Sequence, residues 1–235
     1  MYNSLKYTWP HLSIVSEEKD DKKLQGIDAS LNLLPTTDVD RLLRNKIDTA
    51  VPMRDIVVWI DPLDATKEYA QNLREYVTTM VCVAVKGKPV IGVIHNPFTG
   101  ETYWGWHNHG QNMNLSSQKN NRKIPWIIVS RSHAGDVNTT AQKSFGDEVK
   151  VIPAGGAGYK VMSLVTGKVD VYLHLTKIKK WDVCAGNAIL NSVLGRMTDL
   201  KGNNISYNAK DNQVLEHGLL ATMKDHEKYL KKLVV

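Results

Sequence analysis

The 235-residue chain is 42% hydrophobic and 23% charged, the proportions of an ordinary globular protein with apolar material for one large domain or two small ones. No stretch approaches the run of about 18 apolar residues that a membrane helix needs; the best, Val77 to Val85, is short and broken by Thr78 and Thr79, so no membrane segment is expected. A net charge of +6 points to an anionic partner. The lysines are scattered or mixed with acids, as in Glu17-Glu18-Lys19-Asp20-Asp21-Lys22-Lys23, and no recognition motif accompanies them, so a small phosphorylated molecule is expected and nucleic acid is not.

In chain order, Leu5, Trp9 and Leu12 recur at helical spacing, and the first residues carry no apolar signal block, so the chain reads as starting inside an amphipathic helix. From Lys22 to Asn45 the pattern is irregular and interrupted by Pro35. Asp55 to Ile60, Thr78 to Val85 and Val90 to His95 read as strands, the last two joined at Gly87-Lys88-Pro89 as a hairpin. The polar stretch Asn108 to Lys123 precedes a new apolar run, Trp126 to Val129, which places a boundary near residue 125: an α+β unit over 1–125 and an α/β unit over 126–235. In the second unit, Val149 to Ile152, Val169 to Leu175 and Leu219 to Met223 read as strands, and Tyr159 to Thr166 and Val183 to Leu194 as helices. Cys82 and Cys184 lie in apolar patterns and read as two small core residues rather than a disulfide. Sequons at Asn114, Asn138 and Asn204 would suit a lumenal protein.

The chemistry concentrates where the strand Asp-Ile-Val-Val-Trp-Ile runs into Asp61-Pro62-Leu63-Asp64-Ala65-Thr66. Pro62 fixes the local backbone, so Asp61, Asp64 and the Leu63 carbonyl can converge as hard oxygen donors, the type of set that binds Mg²⁺. The amides of Ala65 and Thr66 would open a helix and could receive a phosphate. The competing reading is an Asx-type turn with Asp64 as a helix N-cap.

Asp61-Pro-Leu-Asp-Ala-Thr66 followed much later by Trp181-Asp182-Val-Cys-Ala-Gly186 resembles the paired signature of the inositol monophosphatase superfamily. Ser130-Arg131-Ser132-His133, Gly155-Gly156-Ala157-Gly158-Tyr159-Lys160 and Lys179-Lys180-Trp181-Asp182 are similar to the branch acting on 3′-phosphoadenosine 5′-phosphate, particularly its Golgi-resident form. The resemblance implies an α/β fold, the layered αβαβα sandwich of sugar phosphatases, with its N-terminal part incomplete. It further implies a lithium-sensitive phosphomonoesterase with two or three Mg²⁺ ions held by Glu17, Asp61, the Leu63 carbonyl, Asp64 and Asp182. Glu18 is the alternative to Glu17, and Asp182 has the bland reading of a helix cap.

By the same similarity, Ala65 and Thr66 would meet the phosphate, Ser130, His133, Gly156 and Lys160 would contact the nucleotide, and Thr66 with Asp61 would serve the attacking water. Family likeness also suggests a homodimer in the Golgi lumen, with a cytoplasmic location as the alternative. A further catalytic Asp of the family, its first helices and the Golgi form's membrane anchor have no counterpart in this sequence, which leaves weak activity, or none, as an expectation for the chain. Ala65 stands where the commoner form of the motif has glycine. Inositol monophosphatase activity and a non-catalytic truncated form are the competing functions.

Overall fold

Val57, Val58, Trp59 and Ile60 form an unbroken buried run, as expected of a strand covered on both faces. The computed structural model describes residues 1–18, 50–115, 122–131 and 137–234. Its first sheet contains β1 (Ser13–Ser16), β2 (Ile56–Asp64), β3 (Thr78–Val85), β4 (Lys88–His95), β5 (Thr102–Trp106) and β6 (Gly110–Gln111), hydrogen-bonded in that order. β1 runs parallel to β2 and the remaining neighbours are antiparallel. The β3–β4 turn is Lys86-Gly87, with φ of 50° and 76°, the left-handed pair that suits the twist of a two-residue hairpin.

The second sheet has the order β11 (Arg196–Thr198), β13 (Leu219–Thr222), β9 (Val171–His174), β7 (Trp126–Ser130), β8 (Lys150–Ala154). β7, β8 and β9 are mutually parallel, and β13 and β11 return antiparallel at one edge. Side chains alternate across it: Ile128, Tyr172 and Ala221 enter the central core, whereas Ile127, Val129, Val171 and Leu173 join an outer cluster. A short ladder pairs β10 (Ile178–Lys179) with β12 (Val214–Leu215).

Helices complete five layers. α1 (Tyr2–Thr8) lies outside the first sheet, where Leu5 and Leu12 pack with Val58, Ile60, Val81 and Val83. α2 (Thr66–Ala70) follows β2 directly. Between the sheets lie α4 (Ala157–Val165) and α5 (Lys180–Ser192), and outside the second sheet lie α3 (Val137–Phe145) and α6 (His226–Lys232). α5 belongs to the second half of the chain yet packs against β3, β4 and β5 of the first sheet. Gly92 on β4 permits this approach, because a Cβ there would collide with the Ala185 carbonyl.

Several expectations are corrected. The first helix ends at Thr8, ahead of Pro10, which cannot continue it; Trp9 is exposed, and Leu12 is buried from the extended segment that leads into β1. Cys82 and Cys184 are core residues, 1% and 0% exposed, but they form a disulfide. Every second residue of β3 faces inward, and this brings Cys82 opposite Cys184 on α5 with the Cα atoms 5.7 Å apart, within bonding range despite a separation of 102 residues. The irregular stretch Lys22 to Asn45 lies outside the described residues.

Candidate active site

β2 does not end at Ile60; it continues through Asp64 with a register shift against β3 between Asp61 and Asp64. That irregularity directs both carboxylates inward, where Asp61 and Asp64 are 1% and 8% exposed. Asp61 Oδ1 accepts from the Leu63 N–H at 3.1 Å, and the Thr79 hydroxyl holds the Pro62 carbonyl at 2.9 Å. Asp64 Oδ2 accepts from the Thr78 hydroxyl at 3.1 Å and from the Gly158 N–H, at the start of α4, at 2.9 Å. Asp64 therefore ties the two halves of the chain together, and it is not the cap of the following helix.

That cap is Ala65, with φ 67° and ψ 41°. An alanine in the left-handed region costs about 1 kcal/mol or more, partly offset by its smaller backbone entropy loss relative to glycine. Ala65→Gly is therefore expected to stabilise the chain by about 0.5 kcal/mol, a rise of about 1–2 °C in melting temperature, with the site unchanged. A calorimetric scan that shows a fall instead would refute the strain assigned here. Thr66 begins the helix, and its hydroxyl donates to the Leu63 carbonyl at 2.9 Å, leaving its lone pairs open to the cavity side.

A cavity of about 380 Å³ opens where β2, α2, the β8–α4 turn and the head of α5 meet; Glu17, Asp61, Leu63, Asp64, Thr66 and Asp182 all line it. Glu17 reaches it because its N–H extends the β1–β2 ladder to the Ile60 carbonyl at 3.1 Å; Glu18 does not line it. Asp182 sits in the first turn of α5, whose cap is Lys179, so it is not an N-cap either.

Burial, with Asp64, Asp182 and Glu17 nearby, pushes the Asp61 carboxyl up to about 10. Asp182 is largely buried, and desolvation followed by Asp64 and Glu17 lifts it well above the usual carboxylate range. Asp64 is raised by burial, against the pull of Lys160 and of its hydrogen bonds to Gly158 and Thr78. Acids crowded in this way can all ionise only beside a cation. The donors are predominantly hard oxygens, which fits Mg²⁺. Among the described residues no three acidic, histidine or cysteine side chains are gathered closely enough to chelate an ion by themselves, so an ion here would draw also on the Leu63 carbonyl and on water or substrate oxygens.

The β8–α4 turn supplies the opposite wall. Gly156 has φ 59°, and a Cβ there would run into the Tyr76 carbonyl and lie 3.2 Å from Asp64 Oδ2, so the close approach depends on glycine. Lys160, 4% exposed, donates to the carbonyls of Gly156 and Ala154, and burial lowers its ammonium to about 8 despite Asp64, Glu68 and Asp182 around it. Ser130, at the end of β7, also lines the cavity. His133 lies outside the described residues. Glu68, Tyr172, His174, Lys177 and Lys179 line the cavity too, beyond the site residues that the sequence motifs mark. The Tyr172 hydroxyl is buried there without a hydrogen-bond partner among the described residues.

The model of the inositol monophosphatase family matches residues 1–234. The chain belongs to the inositol monophosphatase family. It is 49% identical over 242 residues to inositol monophosphatase 3 of Xenopus laevis, covering 99% of this chain and 67% of that protein. It is 46% identical over 240 residues to the Golgi-resident adenosine 3′,5′-bisphosphate 3′-phosphatase of Homo sapiens, covering 99% and 65%. The chain thus spans about two thirds of the length of these relatives. Among solved structures, an inositol monophosphatase/NADP phosphatase complexed with Mg²⁺ and phosphate superimposes with a TM-score of 0.70 at 15% identity, over 98% of this chain and 76% of that one. The mixed α/β fold is that of the family, whose members are phosphatases.

Proposed function

We propose that this chain is a Mg²⁺-dependent phosphomonoesterase that removes the 3′-phosphate of 3′-phosphoadenosine 5′-phosphate, giving AMP and inorganic phosphate. The observation that carries this reading is the convergence of Glu17, Asp61, Asp64 and Asp182, from three distant parts of the chain, on one cavity beside the Ala65-Thr66 turn. Asp61, Asp64, Asp182, Glu17 and the Leu63 carbonyl would hold two or three ions. Bound there, Mg²⁺ supplies Lewis acidity, making water a better nucleophile and offsetting charge on phosphoryl oxygens.

The chain's own groups do the rest. The Thr66 hydroxyl, anchored on the Leu63 carbonyl, can accept a hydrogen bond from the attacking water and aim it. The amides of Ala65 and Thr66 face the phosphate, and Gly156 lets the backbone approach the nucleoside. Lys160 braces the glycine turn and balances Asp64. Ser130 offers a hydroxyl to the nucleoside, and His133 is assigned there by resemblance alone.

The exposed lysines at the rim, Lys177 and Lys179, favour a substrate with a second phosphate over an inositol monophosphate. A lumenal, oxidising compartment such as the Golgi agrees with the internal disulfide.

Phosphate release from 3′-phosphoadenosine 5′-phosphate and from inositol 1-phosphate, with and without Mg²⁺, tests the reading. Release from the bisphosphate only when Mg²⁺ is present, with the higher kcat/KM, is expected. Preference for the inositol ester would overturn the substrate assignment, and binding without turnover would assign a non-catalytic role.

A further inference from the structure

The net charge of +6 is not accounted for by the acid-rich cavity, which sets five carboxylates against four lysines. A second cavity, of about 320 Å³, lies at the opposite end of the second sheet. It opens at the start of β7, the end of α4 and the end of β13, whereas the active-site cavity meets the far ends of β7, β8 and β9. The five residues of β7 put about 13 Å of strand between the two.

Five cationic side chains and two carboxylates line this second cavity. One pair is spent internally: Asp170 accepts from Arg122 Nη1 at 3.2 and 3.3 Å and from the Trp126 N–H at 2.8 Å. Arg122 is further occupied by the Gly167 and Lys168 carbonyls and lies over the Trp126 ring at 4.4 Å. Lys123, Lys224, Lys228 and Lys232 remain, all exposed, with Asp225 as the one other acid of the lining. No ion pair among the described residues uses any of the four.

Lys228 and Lys232 are four residues apart on α6, a spacing at which like charges face each other and repel unless an anion lies between them. One part of the cavity's wall is aromatic, with the half-buried Phe145 and Tyr229 in edge contact at 5.6 Å.

We propose that this cavity is a second ligand site, for a sugar-sized polyanion carrying two or more sulfate or phosphate esters. Free ammonium groups act as separate point charges suited to tetrahedral oxyanions, while the guanidinium that would chelate a carboxylate is already committed. The partly exposed Phe145 and Tyr229 can receive the carbon face of a ring, and a cavity of this volume suits a small molecule better than a duplex.

Sucrose octasulfate and inositol hexakisphosphate, titrated calorimetrically without Mg²⁺ at about 0.15 M salt, test this. The two proteins compared with wild type are the double variant Lys228→Ala/Lys232→Ala and Asp182→Asn. Both probes are expected to bind wild type and Asp182→Asn, and to lose about tenfold in affinity, equivalent to about 1.4 kcal/mol, in the lysine variant. The lysine variant should keep its melting temperature and its Mg²⁺-dependent phosphate release. Loss with sucrose octasulfate alone identifies sulfate esters as the ligand chemistry, and with inositol hexakisphosphate alone phosphate esters. Absence of binding by either probe, or affinity unchanged in the lysine variant, overturns the site.

Discussion

Asp182→Asn should lower kcat for phosphate release by about a thousandfold or more while raising the melting temperature of the metal-free chain. The two effects have one origin. A thousandfold corresponds to about 4 kcal/mol of transition-state stabilisation, the scale expected when a ligand that positions a charge-neutralising cation is removed. Without the cation, the same carboxylate is a cost: its acid is lifted well above the ordinary range by burial and by Asp64 and Glu17.

An acid whose pKa is higher folded than unfolded holds its proton more tightly in the folded chain, so the metal-free protein loses stability as pH rises from the usual carboxylate range upward. For Asp61 that loss extends from about 4 towards about 10. The neutral amide at 182 removes part of this repulsion and flattens the slope. Mg²⁺, binding only the folded form, should raise the wild-type melting temperature and do so far less in the variant. Melting curves with and without Mg²⁺ at two pH values, alongside the activity assay, provide the check. A variant active within tenfold of wild type, or one less stable without metal, would be incompatible with the cavity as a cation site.

What the sequence discloses follows from what is local. β2, β3 and β4 are legible because a buried run and its alternating neighbours write their periodicity directly, and α4 and α5 because they are runs of small and apolar residues, buried on nearly every side. β1 is not: Ser-Ile-Val-Ser is too short to stand out, and it is fixed only by pairing with β2 and by Val15 entering the central core. β5, Thr-Tyr-Trp-Gly-Trp, is hidden by polar flanks, and α3, Val-Asn-Thr-Thr-Ala-Gln-Lys-Ser-Phe, by residues of poor helix propensity that packing overrides.

The site divides in the same way. Asp61, Asp64 and Asp182 are visible because two motifs carry them. Glu68, buried on a five-residue helix, reads as an ordinary surface charge until the β8–α4 turn folds over it, so close that a Cβ on Gly155 would stand 2.5 Å from its Cγ. Tyr172 looks like one more strand aromatic, and only the topology of β9 places its hydroxyl in the cavity.

Replacing Cys82 and Cys184 together by alanine should cost about 4 kcal/mol, a fall of about 10 °C in melting temperature. The bond closes a loop across 102 residues, and in the chain-entropy account a cross-link of that span removes about 4–5 kcal/mol of conformational freedom from the unfolded chain. It also joins β3 of the first sheet to α5, the helix whose first turn carries Asp182. Loosening that helix shifts the carboxylate relative to Asp61 and Asp64, so the Mg²⁺ concentration for half-maximal activity should rise as stability falls. Both sulfurs are buried, and dithiothreitol therefore reaches them only through opening of the fold: wild type refolded in reductant should match the double variant, and native wild type should approach it slowly. A double variant that melts within about 2 °C of wild type, with or without reductant, would mean that the two thiols are not joined and that packing alone fixes α5 on the sheet.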